Sequence, residues 1–455
     1  MNKNKIIFAI IGVLVLGAIF WGISLLNSSG NTTKRPRLST EDFKIWTYNL
    51  DKAKLDEIVK DFKKTNTAYE NKNITVENFS DYKDYEDSLL ASIVQGKAPD
   101  VFLLNNFEKS YLENQTAGIN PTLINPNDFR KNYKTFFGDD LISKTSDGSG
   151  QTIDFVTGVP VGYETLGIFY NKRFGIKSTD LESWAGVSTV VNIIKERNPD
   201  IIPLGMGNGS TVNDSQDIIT QFFMLSGDSG VNSFDQVTDV GLKEAFSTYY
   251  SYADEKDPNA YDTKYNEMKK DGKTNLELFS AGDLAMIIGY PSMIDKINGS
   301  GFNKSFLFAE PFPHYFSSKG KTLVRYSYFV VNKDTKDETL AFDFLKYLSD
   351  EKGARNFLSK FTYLLPALVT LEQDKLGERI HDSYNVVLGD FYKEGDDGLF
   401  SSFDKGITSY YDTEMVKILD NTMTYIEEVK KLQKFIQCKY NKIYNLQNLS
   451  VSCDN

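Results

Sequence analysis

Histidine and cysteine are scarce in this 455-residue chain, which contains two of each. Zinc sites built from clustered histidine and cysteine, and iron–sulfur centres, therefore lack their ligands. A serine–histidine–aspartate triad could use only His314 or His381. We expect neither a cofactor nor a metal, which leaves carboxylate chemistry or the binding of a ligand without chemistry.

Positive charge is also in short supply. The chain has 51 lysines and arginines against 62 aspartates and glutamates, which gives a net charge of −11. Because affinity for phosphate backbones comes from clustered basic residues, this balance excludes a nucleic-acid partner. Residues 320–322 (Gly-Lys-Thr) form half of a phosphate loop, but Tyr315 occupies the position of its first glycine. No G-x-S-x-G elbow is present, which argues against an α/β-hydrolase.

One long apolar run is present, in residues 6–26 near the N-terminus, and it carries no charge. As a helix it would span about 30 Å, the thickness of a bilayer core. We predict that residues 1–26 are a membrane anchor or a signal, and favour an uncleaved anchor because signal peptides have shorter apolar regions. A core helix is a further alternative. Either export reading places the bulk of the chain outside the cytoplasm, and the anchor reading holds it at the cell membrane.

The two cysteines lie close together in the sequence, near the C-terminus. An even count in an oxidising compartment permits one disulfide, between Cys438 and Cys453. The alternative is two free thiols on the tail.

Strand and helix patterns alternate after a polar linker at residues 27–42. Residues 43–48 alternate apolar and polar side chains and predict a strand, and residues 101–104 form a short apolar run typical of a buried strand. Helical and strand-like segments alternate between them. This order predicts an α/β fold with a parallel sheet and helices on both faces, and from about residue 377 the chain is mostly helical.

Five ordered stretches resemble a known family. They are residues 96–102 (GKAPDVF), 158–172 (GVPVGYETLGIFYNK), 183–184 (SW), 279–286 (FSAGDLAM) and 341–345 (AFDFL). Together they are similar to the extracellular solute-binding proteins of family 1, the maltose-binding-like receptors of ABC importers. The resemblance covers roughly residues 43–353. Ala185 departs from the acidic residue that the family usually has after the tryptophan, and the tail beyond about residue 380 is unfamiliar.

The resemblance implies a two-lobed periplasmic-binding-protein-like α/β fold of type II, and the apolar run in residues 6–26 predicts a transmembrane helix before it. We expect one lobe in residues 43–162 with 326–352, and the other in residues 163–325 with 353–455, ending in a helical C-terminal tail. Such lobes close on a small-molecule ligand about a hinge, and the permease subunits of an ABC transporter read the closed state. The resemblance implies a sugar ligand, most simply an oligosaccharide, and no enzymatic activity.

Ligand contacts are expected in loops at the carboxyl ends of strands, where open α/β sheets place their sites. Aromatic rings cover the apolar faces of sugars, while amides and carboxylates bond the hydroxyl groups. By resemblance, Glu164 matches a sugar-contacting carboxylate of the family. The remaining predicted ligand-binding residues are Trp46, Asn49, Asn105, Asn106, Asp214, Tyr290, Ser292, Arg325 and Tyr326.

Three other ligand classes and two other functions remain open at this stage. Relatives also bind iron, polyamines or phosphate esters. Phosphate esters would need clustered arginine, whereas Arg325 stands alone among the predicted site segments. Iron could use the tyrosine pairs Tyr249-Tyr250 or Tyr410-Tyr411, although packing on a helix face would explain these pairs equally well. A surface glycoside hydrolase with two carboxylates, or a sensor or adhesion module on the same fold, are the alternative functions.

Overall fold

The computed structural model describes residues 41–107, 112–146, 150–226, 231, 233–252, 272–314, 321–375, 378, 386–392, 400–401, 403, 405, 408–420 and 425–444. The predicted anchor and most of the predicted linker lie outside these residues. Among the residues that the structure describes, none of the helices is both long and apolar enough to cross a membrane.

Strands and short helices alternate along most of the chain. The strands are β1 (Phe43–Tyr48), β2 (Ile74–Phe79), β3 (Val101–Asn105), β4 (Thr116–Ala117), β5 (Ile142–Ser146), β6 (Thr152–Val156), β7 (Val159–Thr165), β8 (Gly167–Asn171), β9 (Ile202–Leu204), β10 (Leu284–Gly289), β11 (Leu307–Pro311), β12 (Thr322–Asn332), β13 (Leu365–Pro366) and β14 (Phe400–Ser401). The α-helices are α1 (Lys52–Thr65), α2 (Tyr82–Val94), α3 (Pro126–Asn132), α4 (Thr135–Leu141), α5 (Trp184–Arg197), α6 (Ser215–Leu225), α7 (Asp239–Tyr250), α8 (Asn275–Ala281), α9 (Met293–Asn298), α10 (Glu338–Ser349), α11 (Glu351–Lys360), α12 (Glu372–Lys375), α13 (Leu388–Tyr392), α14 (Thr408–Asp420) and α15 (Tyr425–Tyr444).

The first lobe is built on a sheet whose strand order is β13-β7-β12-β3-β1-β2. Strands β1, β2 and β3 run parallel, and β12 inserts antiparallel between β3 and β7. The chain therefore returns to this sheet late, after it has built the sheet of the second lobe. The predicted strand at residues 43–48 is confirmed, and its alternation reflects Phe43 and Ile45, which are fully buried on one face.

The second lobe is built on a smaller sheet with the order β11-β8-β10-β9. Only Leu166 separates the end of β7 in the first sheet from the start of β8 in the second. The chain crosses back before β12, and crosses again beyond α12. These crossings form the junction between the lobes, and the carboxyl ends of β3, β7 and β10 lie close to it.

The helices after β12 divide between the lobes differently from our expectation. Strand β13 pairs with β7, and α11 packs on α1 and β7, so residues 353–375 belong to the first lobe. The expectation that they join the second lobe is wrong, because Phe357 of α11 packs on Phe329 in the first sheet. Helix α14 packs on α6, and α15 on α7, which places the tail helices on the second lobe.

Candidate functional site

Five of the predicted ligand-binding residues meet where the two lobes join. Glu164 lies near the carboxyl end of β7, and Arg325 is its neighbour on β12. From the second lobe, Asp214 immediately precedes α6, while Tyr290 and Ser292 follow β10. We call these five residues the interlobe cluster.

Arg325 is the centre of the interlobe cluster. Its Nη1 lies 3.2 Å from Asp214 Oδ1, and its Nη2 lies 3.2 Å from both Glu164 Oε2 and Ser292 Oγ. The guanidinium carbon stands 3.5 Å from the ring centroid of Tyr290, a cation–π contact. The Ser292 backbone N–H donates to Glu164 Oε1 at 2.7 Å. Because these contacts join residues of both lobes, the cluster ties the lobes together.

The charges of the cluster are mutually dependent. Burial alone would lower the pKa of Arg325, but the carboxylates of Glu164 and Asp214 raise it above its usual value. The loss of surrounding water raises the pKa of Asp214, an effect that Arg325 opposes. About a quarter of both the Arg325 and the Asp214 side chain remains exposed, 28% and 26% respectively. The pair is thus both preorganised and reachable by a solute.

A second layer of charge lies beneath the cluster. The Tyr290 hydroxyl donates to Asp217 Oδ2 at 2.9 Å, and Lys405 Nζ lies 2.5 Å from Asp217 Oδ1 and 2.8 Å from Asp412 Oδ1. The sequence reading missed Lys405, because no motif marked the C-terminal tail. Asp217, in the first turn of α6 and three residues after Asp214, was not among the predicted residues either.

The loop before α6 is shaped by the tail as well. Asp420 Oδ1 accepts the backbone N–H groups of Gly209 and Ser210 at 2.9 and 3.0 Å. A Cβ atom on Gly209 would lie 2.0 Å from the carbonyl oxygen of Val416, so only glycine fits this approach. Asp214 then adopts a left-handed conformation with φ of 54°, a strained geometry that is common at binding sites.

Trp46 and Asn49 lie elsewhere, Trp46 on β1 and Asn49 directly after it. The prediction that Trp46 lies at the carboxyl end of β1 is wrong, because the strand continues to Tyr48. Its ring centroid lies 5.2 Å from that of Phe79 on β2. Asn49 follows the strand with φ of 51°, and its N–H donates to the Phe79 carbonyl. A ligand contact by either residue stays a prediction.

The remaining predicted residues stabilise the strand contacts of the first sheet. Asn105 Oδ1 accepts the backbone N–H two residues further on, at 2.8 Å. Asn106 Oδ1 accepts the N–H of Tyr326, and its Nδ2 donates to Val324, each at 3.0 Å. The Tyr326 hydroxyl donates to Asp140 Oδ2 at 2.8 Å. These bonds explain the burial of Asn106 and Tyr326, and their predicted ligand contacts stay predictions.

Tyr363 is a further residue near the cluster that the sequence reading missed. It lies between α11 and β13, and burial raises its pKa, an effect that the nearby charges of Glu164 and Asp295 increase. Glu164 belongs to the first lobe and Asp295 to the second, so Tyr363 lies near the junction. Its position depends on the late return of the chain to the first sheet, which the local sequence does not reveal.

The tyrosine pairs considered for iron are packed inside the second lobe. The Tyr249 hydroxyl donates to the Asn208 carbonyl at 2.6 Å, and that of Tyr250 lies 3.2 Å from the Ile418 carbonyl. Tyr411 shares a 2.8 Å hydrogen bond with Thr220. Within the described part of the chain, no group of three or more histidine, cysteine, aspartate or glutamate side chains could hold a metal ion.

The predicted disulfide involves the tail helix α15. Cys438 lies on this helix and is disulfide-bonded. Its predicted partner, Cys453, lies outside the described residues. The pairing of Cys438 with Cys453 therefore stays a prediction.

Two α/β lobes with several crossings and a polar cluster at their junction define a two-lobed solute-binding fold. The family of bacterial extracellular solute-binding proteins matches residues 57–379, well over half of the chain. The chain belongs to this family, and it is an extracellular binding protein rather than an enzyme. The resemblance seen in the sequence motifs is thereby confirmed.

A solved structure of similar fold is the ABC substrate-binding protein Lmo0181 from Listeria monocytogenes in complex with cycloalternan. The TM-score is 0.64 at 17% sequence identity, and the match covers 88% of this chain and 98% of the other. This likeness confirms the fold. No curated protein matches the chain in sequence.

Proposed function

We propose that this protein is the receptor of an ABC importer and binds an uncharged saccharide between its two lobes. The observation that carries the proposal is that Arg325 contacts both Glu164 of one lobe and Asp214 of the other, while part of its side chain stays exposed. Guanidinium and carboxylate groups are planar and can bond paired hydroxyl groups. Closure of the lobes would surround the solute with these groups. The cycloalternan complex of the similar fold supports this solute class.

The charge of the junction argues against an anionic solute. The interlobe cluster and the layer beneath it contain two cationic side chains, those of Arg325 and Lys405, against four carboxylates. Each cation already contacts two carboxylates, so a phosphate ester would meet a net negative site. A neutral polyol meets no such repulsion, and it can use both carboxylates and guanidinium as hydrogen-bond partners.

A thermal-shift screen tests the solute class. The full-length chain is purified in a sugar-free detergent, because glycoside detergents would themselves compete. Neutral oligosaccharides, acidic sugars, sugar phosphates and polyamines are compared, and calorimetry gives the Kd of each hit. A ligand present at 100 times its Kd stabilises the folded state by about 2.7 kcal/mol. We expect shifts from neutral oligosaccharides only, and a shift from sugar phosphates alone would contradict the proposal.

Polyamines form the second candidate class, favoured by the excess of carboxylates at the junction. A polyamine would compete with Arg325 for Glu164 and Asp214. The same screen separates the two classes, because a polyamine shift should disappear at high salt whereas a neutral sugar shift should persist.

The apolar run in residues 6–26 supports a further proposal, that an N-terminal helix anchors the receptor in the membrane beside its permease subunits. Residues 27–42 would then form the tether. Mass spectrometry of the native protein should show the N-terminus retained in the membrane fraction. A mature start near Asn31 in a released protein would instead identify a cleaved signal.

A further inference from the structure

The C-terminal tail reaches the junction between the lobes. Strand β14 pairs in parallel with the start of β12, next to the crossing between lobes. Beyond it, Phe403 and Lys405 are fully buried. The tail, which is the part of the sequence without a recognised motif, therefore lies next to the interlobe cluster.

Lys405 is held there by charge. Burial alone would lower its pKa, but Asp217 and Asp412 raise the pKa above its usual value, so the ammonium group stays charged. Its Nζ also lies 4.3 Å from the ring centroid of Phe107, which follows β3 in the first lobe. A buried lysine is stable only with such partners, and removing it would leave Asp217 as a buried charge without its partner.

Asp217 connects Lys405 to the cluster. One of its carboxylate oxygens accepts from Lys405 and the other from the Tyr290 hydroxyl. The Tyr290 ring in turn lies against the guanidinium of Arg325. A continuous series of contacts therefore runs from the tail to the residue at the centre of the site.

We propose that Lys405 is a positioning residue of the solute site, which fixes Asp217 and thereby holds the Tyr290 ring against Arg325. This inference rests on the proposed function and gives the tail a role in it. Arg325 has several hydrogen-bond acceptors within reach, and the ring defines the plane in which its guanidinium is presented. Without Lys405, the buried Asp217 carboxylate loses its cationic partner, and nothing then fixes the acceptor of the Tyr290 hydroxyl.

The test compares Lys405→Met, which keeps the length of the side chain and removes its charge, with the matched control Lys72→Met. Lys72 pairs with Asp337 at 2.5 Å and both side chains are buried, but the pair lies in the first lobe, away from the cluster. Maltotriose, isomaltotriose and cycloalternan serve as probes in calorimetry. Both variants should melt at lower temperature. Only Lys405→Met should weaken binding, by about 10- to 100-fold.

The double variant Lys405→Met with Asp217→Asn keeps the proposal testable if the single variant folds poorly. It removes both charges and leaves an amide oxygen for the Tyr290 hydroxyl, so it should recover melting temperature and most of the affinity. Equal affinity in Lys405→Met, Lys72→Met and the wild-type protein would overturn the inference. So would a double variant that binds more weakly than Lys405→Met.

Crystal structures of wild-type protein and Lys405→Met without ligand give a measurement independent of the solute. The Tyr290 ring should leave the Arg325 guanidinium in the variant. A ring that keeps both its Asp217 bond and its stacking would overturn the inference. If the wild-type protein binds none of the three probes, the saccharide function fails, while the position of the ring still decides the role of Lys405.

Discussion

Glu164→Gln perturbs the contact between the lobes most selectively. Glu164 accepts the Ser292 N–H at 2.7 Å and Arg325 Nη2 at 3.2 Å. Glutamine can keep only one carboxamide oxygen, so retaining the Ser292 bond turns its NH₂ group toward the guanidinium, where two donors face each other. A hydrogen bond to a charged group contributes about 1.5–3 kcal/mol, and the partial exposure of Arg325 reduces the expected loss to about 1–2 kcal/mol.

That loss should appear in binding, because the contact joins the lobes that must close on the solute. We expect calorimetry to give a Kd about 5- to 30-fold weaker, and a melting temperature lowered by less than about 4 °C. Glu372→Gln is the matched control, since Glu372 accepts from Lys134 at 2.9 Å within the first lobe. The control should change stability but not affinity. Wild-type affinity and melting temperature in Glu164→Gln would refute the reasoning.

Three further predictions concern the second lobe and its tail. Trp184 packs on Phe222 and two other rings, so Trp184→Ala should cost about 3–5 kcal/mol in urea unfolding while the folded fraction keeps its affinity; a weakened Kd would contradict this. Gly209→Ala should lower the melting temperature by several degrees. Gly299→Ala should not, because the nearest atom to its added Cβ would be 3.9 Å away. Equal melting temperatures of the two variants would contradict the close approach of Val416 to Gly209. Burial raises the pKa of Asp412 to about 6, whereas aspartate in an unfolded chain has a pKa of about 3.9, so the stabilising contribution of the Asp412 carboxyl group is complete below pH 4 and lost as the pH rises through 6. The melting temperature of the wild-type protein should therefore exceed that of Asp412→Asn by less and less across this pH range. A constant difference would contradict the pKa shift.

The parts of the fold that local patterns control could be predicted from the sequence. Apolar alternation located β1, and the motif order identified the family. Trp46 was misplaced although the strand was not: it lies inside the strand predicted at residues 43–48, and Thr47 and Tyr48, which are both buried, follow it in β1.

The site was predictable to the extent that strand ends determine it. Tyr290 and Ser292 follow β10 directly and Asp214 lies in the loop after β9, whereas Arg325 lies near the amino end of β12. The structure brings these four residues together, and their contact with a ligand stays a prediction. Lys405 could not be found this way, because its role depends on the docking of a tail nearly 190 residues beyond Asp217 in the chain, and no local pattern encodes that contact.

A crystal structure of the protein with the saccharide that gives the largest thermal shift tests the central claim most directly. The saccharide should lie between the lobes with its hydroxyl groups bonded to Arg325 and to at least one of Glu164 and Asp214. A saccharide bound outside the junction, or one bound there with the interlobe cluster unchanged and without contact to it, would contradict the account.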